Sequence, residues 1–187
     1  MGASDPRRGG PPTRYAPVVD LHGRHVTLRP VTPDDAPILA QILGEPAVAR
    51  WWGTFDLDRV RRDLTTGASD EEGFAIEHDG AVVGYIQSVE EAEPDFRHAG
   101  IDLFLRTDAQ GRGLGPDAIR TLAIELIDRR GHHRITIDPA AENTHAIAAY
   151  AKLGFRPVGV MRRYQRMTDG RWVDALLMDL LAEELVR

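Results

Sequence analysis

The sequence predicts an α+β fold: a mixed, mostly antiparallel sheet of about seven strands, flanked by about four helices. Segments that alternate like strands or form short apolar runs are interspersed with helical segments in the order β, α, α, β, β, β, α, β, α, β, β. Asp79-Gly80 separates two of the strand-like segments, and this dipeptide is a strong signal for a tight hairpin. Hairpins early in the chain and helical crossovers later predict a sheet of mixed direction.

The first half of the chain supplies a strand, two helices and the hairpin. Residues 25–30 alternate like a strand, and Pro33 opens a helix in which apolar residues recur at helical spacing as far as Leu43. The remaining segments are the aromatic-rich stretch 47–53, a short helix at 57–64, hairpin strands at 74–77 and 81–88, and an acidic loop at 90–95.

The second half alternates strands with helices. A helix that opens near Leu114 has one apolar face and is capped by Gly131. The other predicted elements are strands at 99–105 and 133–138, a helix at 143–153, and strands at 155–160 and 172–180.

The composition is that of an ordinary soluble protein. The chain has 187 residues. The absence of cysteine excludes thiolate catalysis, and the net charge of −6 argues against general nucleic-acid binding. We expect a disordered leader at 1–17 and a single domain at 18–187. The leader lacks the apolar segment of a signal peptide, and no apolar run is long enough to span a membrane, so we expect a cytoplasmic protein. The histidines form no H-x-x-x-H pair, so we expect no metal.

A glycine-rich turn, Gln110-Gly111-Arg112-Gly113-Leu114-Gly115, is the first candidate binding site. Glycines directly before a helix leave backbone N–H groups facing outward at the positive end of the helix dipole, an arrangement that favours a phosphate. A turn without a ligand is the structural alternative. A dinucleotide site also fits in part, because residues 113–118 match G-x-G-x-x-A and Asp138 ends the next strand. Against it, residues 106–110 separate the strand from the glycines, and too little chain follows Asp138 for further strand–helix units.

A second motif lies on the helix at 143–153. Asn143, Ile147 and Tyr150 have the spacing i, i+4 and i+7, so they share one helix face. Asn143 can form hydrogen bonds at the helix start, and Tyr150 presents a phenol along the same face. Taken singly, each residue also fits a purely structural role, as an N-cap and as a half-buried tyrosine.

Together, Q-G-R-G-L-G and N-x-x-A-x-x-x-Y-x-x-x-G-F resemble the GNAT superfamily of N-acetyltransferases, which use acetyl-coenzyme A. The resemblance covers residues 25–181. It implies that the two central strands splay apart, that the glycine turn binds the pyrophosphate and that Tyr150 protonates the departing thiolate. The cofactor-binding residues implied in this way are Leu103, Phe104, Leu105, Gln110, Gly111, Arg112, Gly113, Leu114, Gly115, Asn143, Ala146 and Tyr150.

Four shorter segments narrow the resemblance to the aminoglycoside 6′-N-acetyltransferases. They are R-W-W-G at 50–53, V-G-Y-I-Q-S at 83–88, G-I-D at 100–102 and D-P at 138–139. Aminoglycosides are polycations, and a site for them needs carboxylates and an aromatic wall. We expect one of Trp51 and Trp52 to line the site and the other to pack in the core. The substrate-binding residues expected on this basis are Trp52, Tyr85, Glu91, Glu93, Asp102 and Asp138.

The expected catalytic residues are Asp102, Asp138 and Tyr150. Asp102 is the candidate general base, because a carboxylate desolvated beside the thioester has a raised pKa and can take a proton from the attacking ammonium, directly or through water. Asp138 would help to fix the amine. A backbone N–H near Leu103 would polarise the thioester oxygen. Since the chain has no cysteine nucleophile, we expect direct acetyl transfer in a ternary complex.

Other readings of the site stay open. The R-W-W-G branch also resembles acyltransferases that modify a hydroxylysine amine in siderophore synthesis. The segment 169–174 departs from the 6′ enzymes, so a 2′-amine is a second candidate acceptor. The non-enzymatic alternative is a GNAT module that only binds coenzyme A. As partners we expect a small cationic amine, with neither nucleic acid nor membrane, and a monomer or a homodimer.

Overall fold

The computed structural model describes residues 19–66, 71–167 and 169–187. The predicted leader at 1–17 lies outside the described residues. The strands are β1 (Leu21–His22), β2 (Thr27–Pro30), β3 (Glu71–His78), β4 (Ala81–Glu91), β5 (His98–Leu105), β6 (Arg134–Ile137), β7 (Arg156–Arg166) and β8 (Trp172–Leu181). The α-helices are α1 (Ala36–Leu43), α2 (Pro46–Trp52), α3 (Leu57–Val60), α4 (Leu114–Ile124) and α5 (Thr144–Ala151). Wider π turns, Arg61–Thr65 and Glu125–Arg129, continue α3 and α4.

One sheet organises the described residues, with its eight strands in the order β1-β2-β3-β4-β5-β6-β8-β7. Neighbouring strands are antiparallel except β5 and β6, which run parallel. The α+β fold and the mostly antiparallel mixed sheet predicted from the sequence are therefore confirmed. The single parallel pair sits in the middle of the sheet, where a helix, α4, connects the two strands.

Two elements were not predicted. β1 has only two residues, too few to show any periodicity. The helix α2 covers most of the stretch 47–53, and its sequence signal is Pro46 at the first helical position, where the missing N–H costs nothing. The described residues therefore contain eight strands and five α-helices, compared with the expected seven and four. No helix in the described part of the chain has both the length and the apolar character needed to cross a membrane.

The predicted hairpin turn is present between β3 and β4. Asp79 and Gly80 adopt φ values of 51° and 76°, the left-handed conformation that a two-residue turn of this type requires at both positions. The hairpin fixes the register of β4 against β3, and β4 in turn aligns β5.

Helices pack on both faces of the sheet, and strand residues alternate between two hydrophobic clusters. Ile86 and Ile101 face the cluster formed with α4, whereas Tyr85 and Phe104 face the cluster formed with α1, α2 and α3. Asp102 shares the face of Phe104, because the two residues are separated by one position on β5. The carboxylate therefore projects to the side of the sheet that α2 covers.

Candidate active site

The sheet opens between its two parallel strands. β5 and β6 pair only at Ala99 with Ile135 and at Gly100 with Thr136, and the ladder then ends. The splay expected from the resemblance is thus present. It leaves the second half of β5 with an open edge toward β6, at the centre of the sheet.

The open edge of β5 presents backbone groups of Leu103 and Leu105. Arg106 N–H donates to Val83 O over 2.8 Å, and ladder bonds alternate along an antiparallel pair, so Leu103 and Leu105 direct their N–H and C=O groups away from β4. Two side chains contact this edge. The Trp52 indole N–H donates to Leu103 O over 3.2 Å, and the Gln110 amide donates to Leu105 O over 3.0 Å. An extended polar molecule can therefore lie along β5 as an added strand would.

The glycine turn adopts the conformation that its sequence predicts. Gly111 and Gly113 have φ values of 72° and 81°, and a Cβ at either position would meet nothing within 4 Å. Glycine is therefore needed for the backbone angle and not for space. Gly113 is the N-cap of α4, whose first amides, including those of Leu114 and Gly115, have no partner within the helix. These amides and the helix dipole favour an anion at the turn.

The glycine turn and the edge of β5 line the same cavity, of about 690 Å³. Its walls come from α2, β5, the glycine turn and the start of α5. The predicted cofactor-binding residues on its surface are Leu103, Phe104, Leu105, Gln110, Gly111, Gly113, Gly115, Asn143, Ala146 and Tyr150. A phosphate cradle that continues into a long groove along an open strand edge fits a coenzyme A molecule, which has a pyrophosphate and an extended pantetheine arm.

Arg112 and Leu114 are the predicted cofactor-binding residues that do not line this cavity. Leu114 is 2% exposed and packs in the main core, so only its backbone can contribute to the turn. Arg112 is exposed, and its guanidinium lies 3.3 Å from His78 Nε2.

Asn143, at the start of α5, both caps the helix and lines the cavity. Asn143 is the N-cap, and its side-chain oxygen accepts a hydrogen bond of 3.2 Å from Ala146 N–H. The structural alternative considered for Asn143 is therefore observed, and the same residue also lines the cavity. The cap fixes the start of α5 and with it the direction of Tyr150 two turns later.

A second cavity of about 430 Å³ is lined in part by residues of both β5 and β6. Trp51, Trp52, Leu103, Asn143 and Tyr150 line both cavities, so the two are adjoining parts of one cleft. The other residues of the smaller cavity are Asp102, Ile137, Asp138, Pro139, Ala140, Tyr164, Gln165 and Arg166. The site therefore has a long compartment with a phosphate cradle and a short compartment with two carboxylates, and Tyr150 lies where they meet.

The two carboxylates of the smaller cavity both have raised pKa values. Burial raises the pKa of Asp102 to about 6, with a further contribution from the negative charge of Asp138. Burial also raises the pKa of Asp138, although a hydrogen bond from Tyr164 partly opposes this effect. A carboxylate with a pKa near 6 is ionised at neutral pH and is a far better proton acceptor than an ordinary aspartate.

Tyr150 stays protonated at neutral pH. Burial raises its pKa above the usual range, and the charges of Asp102 and Asp138 act in the same direction. Its ring packs against Phe155, with 6.3 Å between ring centroids. The phenol therefore keeps its O–H proton, which is the state that a general acid requires.

The aromatic wall is formed by both tryptophans of α2. Trp52 packs edge-on against Phe104, with ring centroids 5.0 Å apart, and Arg50 stacks over Trp51 at 4.3 Å. Both border both cavities, and Trp52 also packs against the second core cluster, so the expected division, with one tryptophan lining the site and the other in the core, is not observed. Since α2 is short and lies over the splay, its last turn places both indoles at the cleft.

Three predicted substrate-binding residues lie outside the cleft. Tyr85 is 2% exposed and stacks on Phe104 in the core, so its ring is not available to a molecule in the smaller cavity. Glu91 ends β4, four positions beyond Gln87, which pairs with Asp102. Glu93 follows it in the exposed turn, where its N–H donates to the Glu91 carboxylate over 2.9 Å.

Part of the predicted acidic loop is structural. Glu90 belongs to β4, forms an ion pair of 2.8 Å with Arg130 and lies 2.6 Å from His132 Nε2. Burial disfavours its ionised form, but hydrogen bonds from His132 and Arg130 outweigh this effect and hold the pKa of Glu90 below its usual value. This carboxylate therefore ties β4 to the end of the π turn after α4 and is not available to a cationic acceptor.

The structure adds residues that the sequence analysis missed. A bulge in β7 between Met161 and Gln165 turns Tyr164 toward Asp138, to which its phenol donates. Gln165 donates to the backbone oxygen of Trp51 over 2.6 Å and so joins β7 to α2. In the bulge, Arg163 has a φ of 50°. The sequence carries no glycine or asparagine there to signal such a backbone.

Comparison with known proteins assigns the family. Residues 25–156 match the model of the acetyltransferase (GNAT) domain. The chain is 29% identical over 168 residues to the aminoglycoside N(6′)-acetyltransferase type 1 of Klebsiella pneumoniae, covering 80% of this chain and 82% of that protein.

Two solved structures are similar over most of the chain. One is the aminoglycoside acetyltransferase AAC(6′)-Ib in complex with coenzyme A, with a TM-score of 0.72 and 27% identity, covering 85% of this chain and 96% of that one. The other is Mycobacterium smegmatis RimJ in complex with CoA-disulfide, with a TM-score of 0.77 and 27% identity, covering 90% and 88%. The domain match, together with the splayed sheet and phosphate cradle, shows that the chain belongs to the GNAT family of acetyltransferases, which use acetyl-CoA.

Proposed function

We propose that this acetyltransferase transfers the acetyl group of acetyl-CoA to an amine of an aminoglycoside, with the 6′-amine favoured over a 2′-amine. The observation that carries the proposal is the pair of raised-pKa carboxylates, Asp102 and Asp138, in a cavity walled by Trp52. Such a cavity suits a ring bearing an ammonium group, because the carboxylates attract the charge and the indole packs on the ring. The named relatives that act on aminoglycosides support the same class of acceptor.

The residues of the cleft divide the binding of acetyl-CoA between them. The N–H groups at the start of α4 and the left-handed glycines Gly111 and Gly113 would hold the pyrophosphate. The open edge of β5 would pair with the pantetheine amides. Acetyl-CoA supplies an acetyl thioester. The Leu103 N–H lies on that open edge, and it would donate to the thioester oxygen as negative charge develops there.

On the acceptor side, Asp102 would take a proton from the ammonium group and free the amine for attack. Asp138 would hold the same amine through charge and hydrogen bonding, and Tyr164 would in turn orient Asp138. Tyr150, at the junction of the two compartments, would donate its proton to the departing sulfur, and the second proton that the nitrogen releases as the amide forms would restore the phenol. Each step uses a group in the protonation state that it has at neutral pH.

The test is acetyl transfer to a panel of amines. The panel holds aminoglycosides with and without a free 6′-amine, polyamines, N6-hydroxylysine and peptides with a free N-terminus. Release of coenzyme A is followed with a thiol reagent, and mass spectrometry and NMR identify the acetylated nitrogen. We expect turnover with aminoglycosides that carry a free 6′-amine, and loss of that turnover in Asp102→Asn.

Two results would contradict the proposal. If the protein binds acetyl-CoA but releases no coenzyme A above background with any aminoglycoside, the acceptor class is wrong. If N6-hydroxylysine is the one amine of the panel that is acetylated, the activity is instead that of the acyltransferases of siderophore synthesis. A resistance role is tested separately by expressing the protein in a susceptible bacterium, where the inhibitory concentration of the accepted drugs should rise for the active protein and not for Asp102→Asn.

A further inference from the structure

Two buried polar side chains of β4, Tyr85 and Gln87, have no part in the reaction described so far. They are 2% and 9% exposed. Because they are two positions apart on one strand, both side chains project to the same face of the sheet. That face also carries Asp102. A buried amide and a buried phenol are costly unless their polar atoms are paired, so their hydrogen bonds indicate what they do.

The Tyr85 phenol is held in one place. It donates to the Gln87 side-chain oxygen over 3.1 Å, and Leu64 O lies farther away, at 3.5 Å. On the adjacent strand β3, a Cβ at Gly73 would collide with the phenol oxygen. The glycine leaves room for this hydroxyl, and the ring stacks on Phe104 at 5.6 Å. The position of the O–H is thus fixed from several sides.

Gln87 lies directly opposite Asp102 in the β4–β5 ladder. Side chains directly opposite in an antiparallel pair have their Cβ atoms about 5 Å apart, within reach of one hydrogen bond. The Gln87 amide donates to the Asp102 carboxylate and lowers the pKa of that group, against the effects of burial and of Asp138. A glutamine has one acceptor end and one donor end. Since Tyr85 occupies the acceptor end, the donor end faces the carboxylate.

We propose that Gln87 is a positioning residue for Asp102 and that Tyr85 fixes the orientation of the Gln87 amide. The proposal rests on the proposed function in that Asp102 is taken as the general base. The chain Tyr85–Gln87–Asp102 fixes one carboxylate oxygen and leaves the other directed to the acceptor cavity. The hydrogen bond from Gln87 also favours the ionised state of Asp102. This matters because a protonated Asp102 cannot accept the proton of the attacking ammonium.

Other charged and titratable groups near Asp102 enter the expected result. Asp138, directly after β6, and Glu71 on β3 act on the pKa of Asp102, whereas the charge of Asp102 raises the pKa values of Tyr150 on α5 and Tyr164 on β7. The negative charges of Asp138 and Glu71 raise the pKa of Asp102, so Gln87 is the side chain that opposes them. Removal of the amide should leave those charges unbalanced.

The direct test is the titration of Asp102 without any acceptor present. ¹³C NMR of protein labelled at its aspartate carboxyl groups gives the titration curves, and Asp102→Asn assigns the signal. The wild-type midpoint is expected at about 6. In Gln87→Met the midpoint should rise by about one pH unit, because one unit is a tenfold change in proton affinity and a hydrogen bond to a charged group contributes at least that much. Tyr85→Phe should shift the midpoint in the same direction by less.

Ser88→Ala is the matched control. Ser88 is the next residue on β4, it is 1% exposed, and its hydroxyl has no hydrogen-bond partner among the described residues. The control removes a buried oxygen without touching the chain to Asp102, so the Asp102 midpoint should not move. If Gln87→Met does not fold, Gln87→Glu keeps the shape of the side chain and replaces the donor with a carboxylate, and the midpoint must again rise.

A folded Gln87→Met protein whose Asp102 titrates as in the wild type would overturn the proposal, and an unchanged midpoint in Tyr85→Phe would overturn the part played by Tyr85. A purely structural role for Gln87 would lower the melting temperature and leave the titration unchanged. The acidic limb of kcat/KM, measured with any amine that the protein accepts, should follow the NMR midpoint in each variant. Because the titration needs no acceptor, it stands even if aminoglycosides fail as substrates.

Discussion

Asp102 on β5 and Asp138, which directly follows β6, occupy equivalent positions, each two residues beyond the last pair that joins the two parallel strands, Gly100 with Thr136. The ladder stops just before the carboxylates, so the same break in the sheet opens the cleft and brings the two charges together inside it. Neither strand could carry this site alone, since one supplies the candidate base and the other supplies the negative charge that helps to raise its pKa.

Asp102→Asn should lower turnover at least about a hundredfold, because the amide cannot accept the proton of the attacking ammonium. Affinity for acetyl-CoA should stay within about twofold of the wild type, since the carboxylate lies in the acceptor compartment and not in the phosphate cradle. Steady-state kinetics and calorimetric titration measure the two quantities. Full turnover in the variant would remove Asp102 from the mechanism.

The activity of the wild type should fall as the pH drops through about 6, because Asp102 must be ionised to act as a base and its pKa is raised to about that value. A profile of kcat/KM between pH 4.5 and pH 9 (about the range that most folded proteins tolerate) tests this. In Asp102→Asn, the residual activity should lack this acidic limb. Activity that stays nearly constant down to pH 4.5, as expected for an ordinary aspartate with a pKa of about 4, would contradict the prediction.

The raised pKa of Asp102 also predicts an effect on stability. Because its pKa rises from 3.8 to about 6 on folding, the ionised group favours the unfolded chain, and this cost develops as the pH rises between those two values. Asp102→Asn should therefore be more stable than the wild type above pH 6 by up to about 3 kcal/mol, and this advantage should vanish near pH 4. Denaturant unfolding at the two pH values measures the difference.

Tyr150→Phe should lower kcat about a hundredfold with little change in KM for the acceptor, because in the proposed mechanism the phenol acts on the departing thiolate and not on binding. The melting temperature should change little, since the ring that packs on Phe155 is retained. Equal losses in kcat/KM and in acetyl-CoA affinity would indicate that Tyr150 only shapes the cavity.

Gly113→Ala should weaken acetyl-CoA binding, because a φ of 81° strains any residue with a Cβ and the turn would relax away from the phosphate-binding conformation. The strain costs about 1–2 kcal/mol, which corresponds to roughly a tenfold loss of affinity if the turn shifts in the free protein. Gly159→Ala is the control, because Gly159 is on β7 with open space around it and no positive φ. If Gly113→Ala and Gly159→Ala bind acetyl-CoA equally well, the glycine turn does not hold the pyrophosphate in the way proposed.

Glu91 and Glu93 offer a contrast with Asp138. Since they lie outside both cavities, the double variant Glu91→Gln, Glu93→Gln should change KM for a cationic acceptor by less than about threefold, as exposed charges are screened by solvent and salt. Asp138→Asn should raise KM at least about tenfold. A large increase of KM in the double variant would indicate that Glu91 and Glu93 do contribute to binding of the acceptor.

Local sequence signals predicted the parts of the site that depend on local conformation. The left-handed glycines and the cap at Asn143 are set by residues within one turn, and they appear in the structure as their sequence indicates. The splay came from the family resemblance. The burial of Tyr85 and the bulge that brings Tyr164 to Asp138 depend on packing between distant segments, and no pattern along the chain specifies that packing.

Residues 164–166 of β7 form one wall of the smaller cavity, and their position in the chain bears on how the range of accepted amines can change. The match to the family domain ends at residue 156, where β7 begins, so the bulge that carries Tyr164 and Gln165 lies beyond it. The glycine turn, the open edge of β5 and Tyr150 all lie before that point. Part of the wall of the smaller cavity therefore lies beyond the stretch that carries the glycine turn, the open edge of β5 and Tyr150, whereas Asp102, Asp138 and both tryptophans lie within that stretch. Substitutions confined to 162–166 should alter which amines are accepted without changing any residue proposed to bind acetyl-CoA or to protonate the thiolate.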